Sequence, residues 1–193
     1  MIERSGSGDE DGRVRLRQLA TADVSATELA AIRALMDVAF GDDEEERFTD
    51  QDWAHGLGGI HIVLDVDGVI AAHAAVVERE IHVAGRPLRA GYVEAVATAP
   101  ERQGTGLGTR VMEAANALIR DGFELGVLGT GRHHFYERLG WETWHGQAFV
   151  RAQDGERRTP DEEGYLLILR TPAGPPIDLA ATISCDWRPG DVW

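Results

Sequence analysis

What most restricts this chain is a series of apolar runs, punctuated by tight turns, that leads straight into a glycine loop. Residues 60–65 and 69–77 are apolar and flank Asp67-Gly68. An Asp-Gly pair between such runs marks a β-hairpin, because the turn that matches strand twist needs left-handed φ at both central residues. Ile81, His82 and Val83 lead to a second turn at Ala84-Gly85-Arg86-Pro87. Residues 88–98, rich in β-branched and small apolar side chains, then stop at Ala99-Pro100. A meander of four strands is expected. After the loop at 104–108, Leu107, Val111, Met112, Ala115, Leu118 and Ile119 recur every three or four residues, the stripe of an amphipathic helix running to Arg120.

Upstream, the imperfect alternation of residues 14–19 reads as a first strand, and Leu29, Ile32, Leu35, Met36 and Ala39 give a helix ending at Phe40. Between Asp42 and Asp52 lie seven acids and one Arg47, an acidic loop with room for a short helix, followed by a turn signal at Gly56-Leu57-Gly58-Gly59. Downstream, residues 123–128 read as a strand, 133–139 as a short helix closed by Gly140, and 141–144 and 165–169 as late strands. Residues 149–158, with three Arg, read as a solvated turn or as a source of an Arg for phosphate contacts.

A length of 193 residues suits one domain, expected over 14–193 behind a flexible tail at 1–13. The net charge of −14 repels phosphate backbones and anionic lipid, so nucleic acid and membrane are not expected partners. The same field attracts cations. A single Cys185 excludes an internal disulfide framework, and the seven His show no ligand spacing, so no metal is expected. The longest apolar stretch, 69–77, is far below a membrane span, and the N-terminus lacks a signal-peptide core. A soluble, cytoplasmic protein is expected.

Placed between a strand and a helix, Arg102-Gln103-Gly104-Thr105-Gly106-Leu107-Gly108 is either a tight turn or an anion site built from backbone N–H groups and a helix N-terminus. It lacks the Lys-Ser/Thr ending of a P-loop, and a long meander precedes it where a dinucleotide fold would place an early βαβ unit. Gln103, Gly106 and Gly108 match the motif of Gln or Arg, two residues, Gly, one residue, Gly or Ala. This resembles the GNAT superfamily of acyl-CoA-dependent N-acetyltransferases. The resemblance implies an α/β (α+β) GNAT fold, with a mostly antiparallel mixed sheet, splayed central strands and flanking helices. It also implies acetyl-CoA as acyl donor. Arg102, Gln103, Gly104, Thr105, Gly106 and Gly108 would hold its pyrophosphate, and the strand around Val96 and Thr98 would pair with its pantetheine arm.

Further motifs are similar to the aminoglycoside 2′-N-acetyltransferases. They are Gly91-Tyr92-Val93-Glu94, Phe48-Thr49 with Asp52-Trp53, Leu57-Gly58-Gly59, Arg158-Thr159-Pro160-Asp161, Cys185-Asp186-Trp187-Arg188 and the terminal Gly190-Asp191-Val192-Trp193. This resemblance implies an aminoglycoside substrate met by Asp52, Glu94, Ala95, Gly129, Glu162, Asp191 and Trp193. It further implies Glu94 as base acting through water, Tyr136 as the acid that protonates the departing thiolate, and a homodimer. The chain departs from its relatives at Gly129-Thr130-Gly131, where they carry a longer serine-rich stretch.

The chemistry agrees with the residue types. Amide formation from a thioester needs a neutral amine, while an aminoglycoside arrives polycationic, so acids must attract it and one group must take a proton. Glu94 stands in an otherwise apolar run, where a carboxylate is costly unless wet, paired or functional. Residue types alone leave it as a base or as an acid on an open strand face, and leave Tyr136 as an acid or as helix packing. They also leave open another polycationic amine as substrate, or a non-catalytic module that binds cationic drug or CoA.

Overall fold

A computed structural model describes residues 13–41 and 47–193. Residues 1–12 of the expected tail at 1–13 and the acidic stretch 42–46 lie outside the described residues. The described residues form one ten-stranded mixed sheet with helices packed on it. β1 (Val14–Ala20) pairs antiparallel with β2 (Ile60–Val66), β2 with β3 (Val69–Val83), and β3 with β4 (Arg86–Thr98). Both hairpin turns hold two consecutive left-handed residues, Asp67 and Gly68 at φ 53° and 81°, and Ala84 and Gly85 at 50° and 75°.

The meander has three strands where four were expected. Glu78, Arg79 and Glu80 interrupt the apolar pattern without ending the strand, because they continue to pair with Gly91, Ala90 and Arg89. The length of β3 lets one strand serve two neighbourhoods. Its first half pairs with β2, and its second half with β10 (Ile183–Asp186), a strand not expected from the sequence. β10 runs parallel to β7 (Ala148–Ala152), which folds back on β8 (Gly155–Arg158). The Arg-rich segment is therefore a hairpin, and the C-terminal segment is tied to the middle of the sheet. On the other side, β5 (Leu125–Gly129) runs parallel to β4 and is followed by β9 (Leu166–Arg170) and the short β6 (Glu142–Thr143).

α1 (Ala26–Phe40) is capped by the Ser25 hydroxyl, which accepts from the Glu28 amide, and ends at Gly41 with φ +76°. It buries Ile32, Leu35 and Met36 against one face of the sheet. α3 (Leu107–Gly122) buries Val111, Met112, Ala115 and Ile119 against the other, each fully shielded from solvent. Complete burial of a side chain like Ile119 stabilises by about 1.5–3 kcal/mol. The helix sits close because Gly91 and Gly126 face it; a Cβ at Gly91 would lie 2.9 Å from Ile119.

Candidate active site

The site begins where β4 and β5 stop pairing. Their parallel ladder covers only Ala90, Gly91 and Tyr92 of β4, so from Val93 onward the two strands part. At the same point β4 slips register against β3, with Glu94 opposite Ala75 but Ala97 opposite His73. The bulge is centred on Ala95, whose φ of +50° is left-handed although it carries a Cβ. That conformation costs roughly 1–2 kcal/mol, and it re-aims the strand so that Glu94, Val96 and Thr98 are its partly exposed positions.

Beyond Thr98, the glycine loop enters α3. Gly104 and Gly106 adopt φ of +76° and +87°, and nothing lies within 4 Å of a Cβ built on either. Gly106 is the N-cap and no side chain caps the helix, so its first-turn amides face open space. Gly108 packs on the strand end, where a Cβ would meet the Thr98 hydroxyl at 3.0 Å. The Gln103 amide also donates to the Thr98 carbonyl at 3.3 Å. Arg102, Gln103 and Thr105 are exposed around the loop. Uncapped amides, open space and a helix N-terminus fit a pyrophosphate.

Beside this loop lies α4 (His133–Glu137). The Phe135 ring lies 3.6 Å from the Cβ position of Gly108. Tyr136 packs edge-on to Phe135 and Trp141, with centroids 4.9 and 6.4 Å away. The buried Asn116 fixes this corner, accepting from the Trp141 indole at 2.9 Å and donating to the Leu139 carbonyl at 3.0 Å. Burial pushes the Tyr136 phenol up to about 12, so it keeps its proton at neutral pH.

At the other end of the cleft, Arg188 reaches back from the C-terminal segment. Its Nη1 donates to Glu94 Oε1 at 2.7 Å, its Nε to the Asp191 carbonyl at 2.7 Å, and its Nη2 to a Trp193 main-chain oxygen at 3.5 Å. Arg79 on β3 donates to the carbonyls of Asp186 and Val192, and its guanidinium lies 4.6 Å over the Tyr92 ring. Burial pushes the Glu94 carboxyl above its ordinary value, against the downward pull of Arg188 first and of His55 and Arg79 behind it. Trp193 is buried, its indole donating to the Thr159 hydroxyl at 3.0 Å. A Cβ at Gly129 would lie 3.9 Å from the Trp193 backbone carbon and 3.8 Å from the Tyr92 hydroxyl. Glu162, in the 3₁₀ turn Pro160–Glu162, is raised by burial and then by the negative charge of Asp191, so these two acids lie near one another.

Residues 21–144 match the family model for the acetyltransferase (GNAT) domain. The chain belongs to the GNAT acetyltransferase family. It is 41% identical over 182 residues to an aminoglycoside 2′-N-acetyltransferase of Mycolicibacterium fortuitum, covering 92% of this chain and 91% of that one. Its fold is similar to a GNAT family N-acetyltransferase from Escherichia coli in complex with CoA, with a TM-score of 0.65, 18% identity and 93% of each chain covered. It also resembles a GCN5-related N-acetyltransferase from Kribbella flavida, with a TM-score of 0.58 and 20% identity over 73% of this chain. There the chain spans only 36% of the other protein's length. The expected GNAT fold, its mixed sheet and its splayed strands are all present.

The fold of this GNAT protein gathers Glu94, Gly129, Glu162, Asp191 and Trp193 around the β4–β5 opening, with Ala95, Val96 and Thr98 along its wall. Asp52 has a structural task. In α2 (Asp50–Gly56) its Oδ2 accepts from the Thr49 amide and hydroxyl at 2.7 and 2.8 Å, a capping box that starts the helix. α2 meets the C-terminal segment through His55, whose Nε2 lies 2.7 Å from the Pro189 carbonyl. Reading the sequence assigned no role to Arg79, His55 or Arg188. A lone carboxylate in an apolar run is the one signal that a cation must answer it. Among the described residues, no His, Cys, Asp and Glu gather in a group of three that would hold a metal, and no helix is long and apolar enough to cross a membrane.

Proposed function

We propose that this protein transfers an acetyl group from acetyl-CoA to the 2′-amino group of an aminoglycoside, within one catalytic domain spanning 14–193. The observation that carries the reading is the acidic cleft: Glu94, Glu162 and Asp191 lie beside an opening in the sheet whose other end is an uncapped helix N-terminus. A polycation and an anion are thereby recognised at opposite ends of one groove. The name of the Mycolicibacterium fortuitum relative supports the choice of amine.

Acetyl-CoA supplies the activated acyl group. The amides at 104–108 bind its pyrophosphate, and the unpaired β4 edge at 96–98 receives its pantetheine arm by strand-like hydrogen bonds. Asp191 and Glu162 draw in and orient the ammonium groups of the drug, with Trp193 walling the site. Glu94, held by Arg188, accepts a proton from the reacting amine through water. Tyr136, which keeps its phenolic proton, donates to the departing thiolate. Orienting both reactants in one cleft supplies the rest of the acceleration. Acetylation removes a positive charge that the drug uses against ribosomal RNA, so the reaction confers resistance.

A second reading keeps the chemistry and changes the amine. Gly129 contributes no side chain to the cleft, which leaves space for another polycationic acceptor, such as a different aminocyclitol. Thiol release from acetyl-CoA over a panel of aminoglycosides with and without a free 2′-amine separates the two. Turnover confined to drugs bearing that amine supports the first reading, and turnover blind to it supports the second.

A further inference from the structure

Two fully buried histidines lie directly beneath the bulge, outside the groups the reaction uses. His73 on β3 and His61 on β2 are both 0% exposed. His73 Nδ1 lies 2.8 Å from the Ala95 carbonyl, His73 Nε2 lies 2.9 Å from His61 Nδ1, and His61 Nε2 lies 2.9 Å from the Thr21 hydroxyl. A carbonyl only accepts, so His73 carries its proton on Nδ1. Its Nε2 must then accept, which puts the His61 proton on Nδ1 as well. The Thr21 hydroxyl donates to the remaining His61 Nε2 and accepts from the Gly58 amide at 2.9 Å. The Gly59 carbonyl, 3.1 Å from the same hydroxyl, already accepts from the Thr21 amide at 3.0 Å. Every polar atom of the chain is satisfied in one direction only.

The chain joins two walls of the cleft. Gly58 and Gly59 follow α2, which carries Asp52 and His55, and Ala95 sits between Glu94 and the unpaired edge at 96–98. We propose that His73, backed by His61 and Thr21, is a positioning residue for acetyl transfer: its Nδ1–H holds the Ala95 peptide in its left-handed turn and so sets Glu94 and the acyl-donor edge. The inference rests on the acetyltransferase reading above. Apart from Thr21, the groups around the pair are the Ala95 carbonyl and the Trp53 ring, 6.4 Å from His61, with Glu28 the nearest charge acting on His61. An apolar side chain in place of His73 would leave the Ala95 carbonyl buried without its donor, free to relax out of a strained φ.

Long-range ¹H–¹⁵N spectra of the full-length protein test the hydrogen-bond chain itself. Both rings should be neutral Nδ1–H tautomers at pH 7.5, and an Nε2–H ring or a titration of His73 near its ordinary value overturns the proposal. Kinetics test the role, with His73→Leu removing the donor and His73→Asn restoring an N–H near the Nδ1 position. The Leu variant should lose about 10- to 100-fold in kcat and bind acetyl-CoA several-fold more weakly by calorimetry, with the KM for the amine unchanged. The Asn variant should recover most of both. If His73→Leu is less stable but keeps wild-type kcat and acetyl-CoA affinity, or if His73→Asn recovers neither, the pair is only structural and the proposal falls. If the wild-type protein acetylates no aminoglycoside, the substrate reading fails, while the spectra and the acetyl-CoA affinities still decide this one.

Discussion

Arg188 Nη1 lies 2.7 Å from Glu94 Oε1, so the proposed base is gripped by a cation that the chain brings back from its C-terminal segment. Both side chains are largely shielded, at 15% and 14% exposed, where a charge pair is screened little and each partner depends on the other. Glu94→Gln keeps an oxygen for Arg188 and loses the proton acceptor. Its kcat should fall by about 10² to 10⁴, with the unfolding temperature close to that of the wild type. Stopped-flow thiol release at saturating amine measures the loss.

The pH profile follows from the same pair. Burial raises the Glu94 carboxyl above its ordinary value and Arg188 pulls it back. Because the base must be ionised, kcat/KM should fall on an acid limb lying above the usual carboxylate range. Arg188→Met removes the downward pull, so that limb should move to higher pH, whereas a purely structural Arg188 would lower activity evenly across the profile. Steady-state rates from pH 5 to 9 distinguish the two.

Buried neutral histidines give folding its own pH dependence. Burial lowers His61 below the ordinary value of 6.5 and holds His73 down at about 3. The unfolded chain therefore takes up protons first. Their contribution is complete above pH 6.5; that of His73 is lost as pH falls from there toward 3, by up to about 1.4 kcal/mol per pH unit, and His61 adds to the loss below 6.5. Urea unfolding at pH 7 and pH 5 should show this loss, with a shallower slope in His73→Asn.

Gly106 sits at φ +87° with open space where a side chain would project. Gly106→Val should strain the loop and fill the anion site at once. The KM for acetyl-CoA should rise about tenfold, equivalent to ~1.4 kcal/mol, with the KM for the amine unchanged.

Gly129 tolerates a side chain, since a Cβ there makes only ordinary contacts at 3.8 and 3.9 Å. Gly129→Ser should fold with stability within about 0.5 kcal/mol of wild type. It adds a hydroxyl beside the Tyr92 hydroxyl and the Trp193 main chain, so the KM for a drug with a 2′-amine should fall. Paired kinetic and thermal-shift measurements check both halves.

Local signals in the sequence were enough for the hairpin turns, the stripe of α3 and the glycine loop, because each is written within a few residues. β10 escaped notice because Ile183, Ser184 and Cys185 are strand only by pairing with Val83, His82 and Ile81 across the chain. Glu94 stood out as a charge in an apolar run, but its partner Arg188 is 94 positions away and no spacing rule links them. The histidines show no ligand spacing along the chain, so nothing local in the sequence links them. Their contact runs across two neighbouring strands, His61 opposite Ala75 and His73 opposite Val63, a diagonal that periodicity along one strand does not reveal.

The central claim is that the acidic cleft around Glu94 presents one particular amine to the acyl donor. NMR of the isolated product after incubation with acetyl-CoA and an aminoglycoside bearing several free amines tests it most directly. The account predicts a single acetyl group, on the 2′-nitrogen, formed at least about a hundredfold more slowly by Glu94→Gln. Acetylation at another nitrogen, or equal rates for the two proteins, would contradict it.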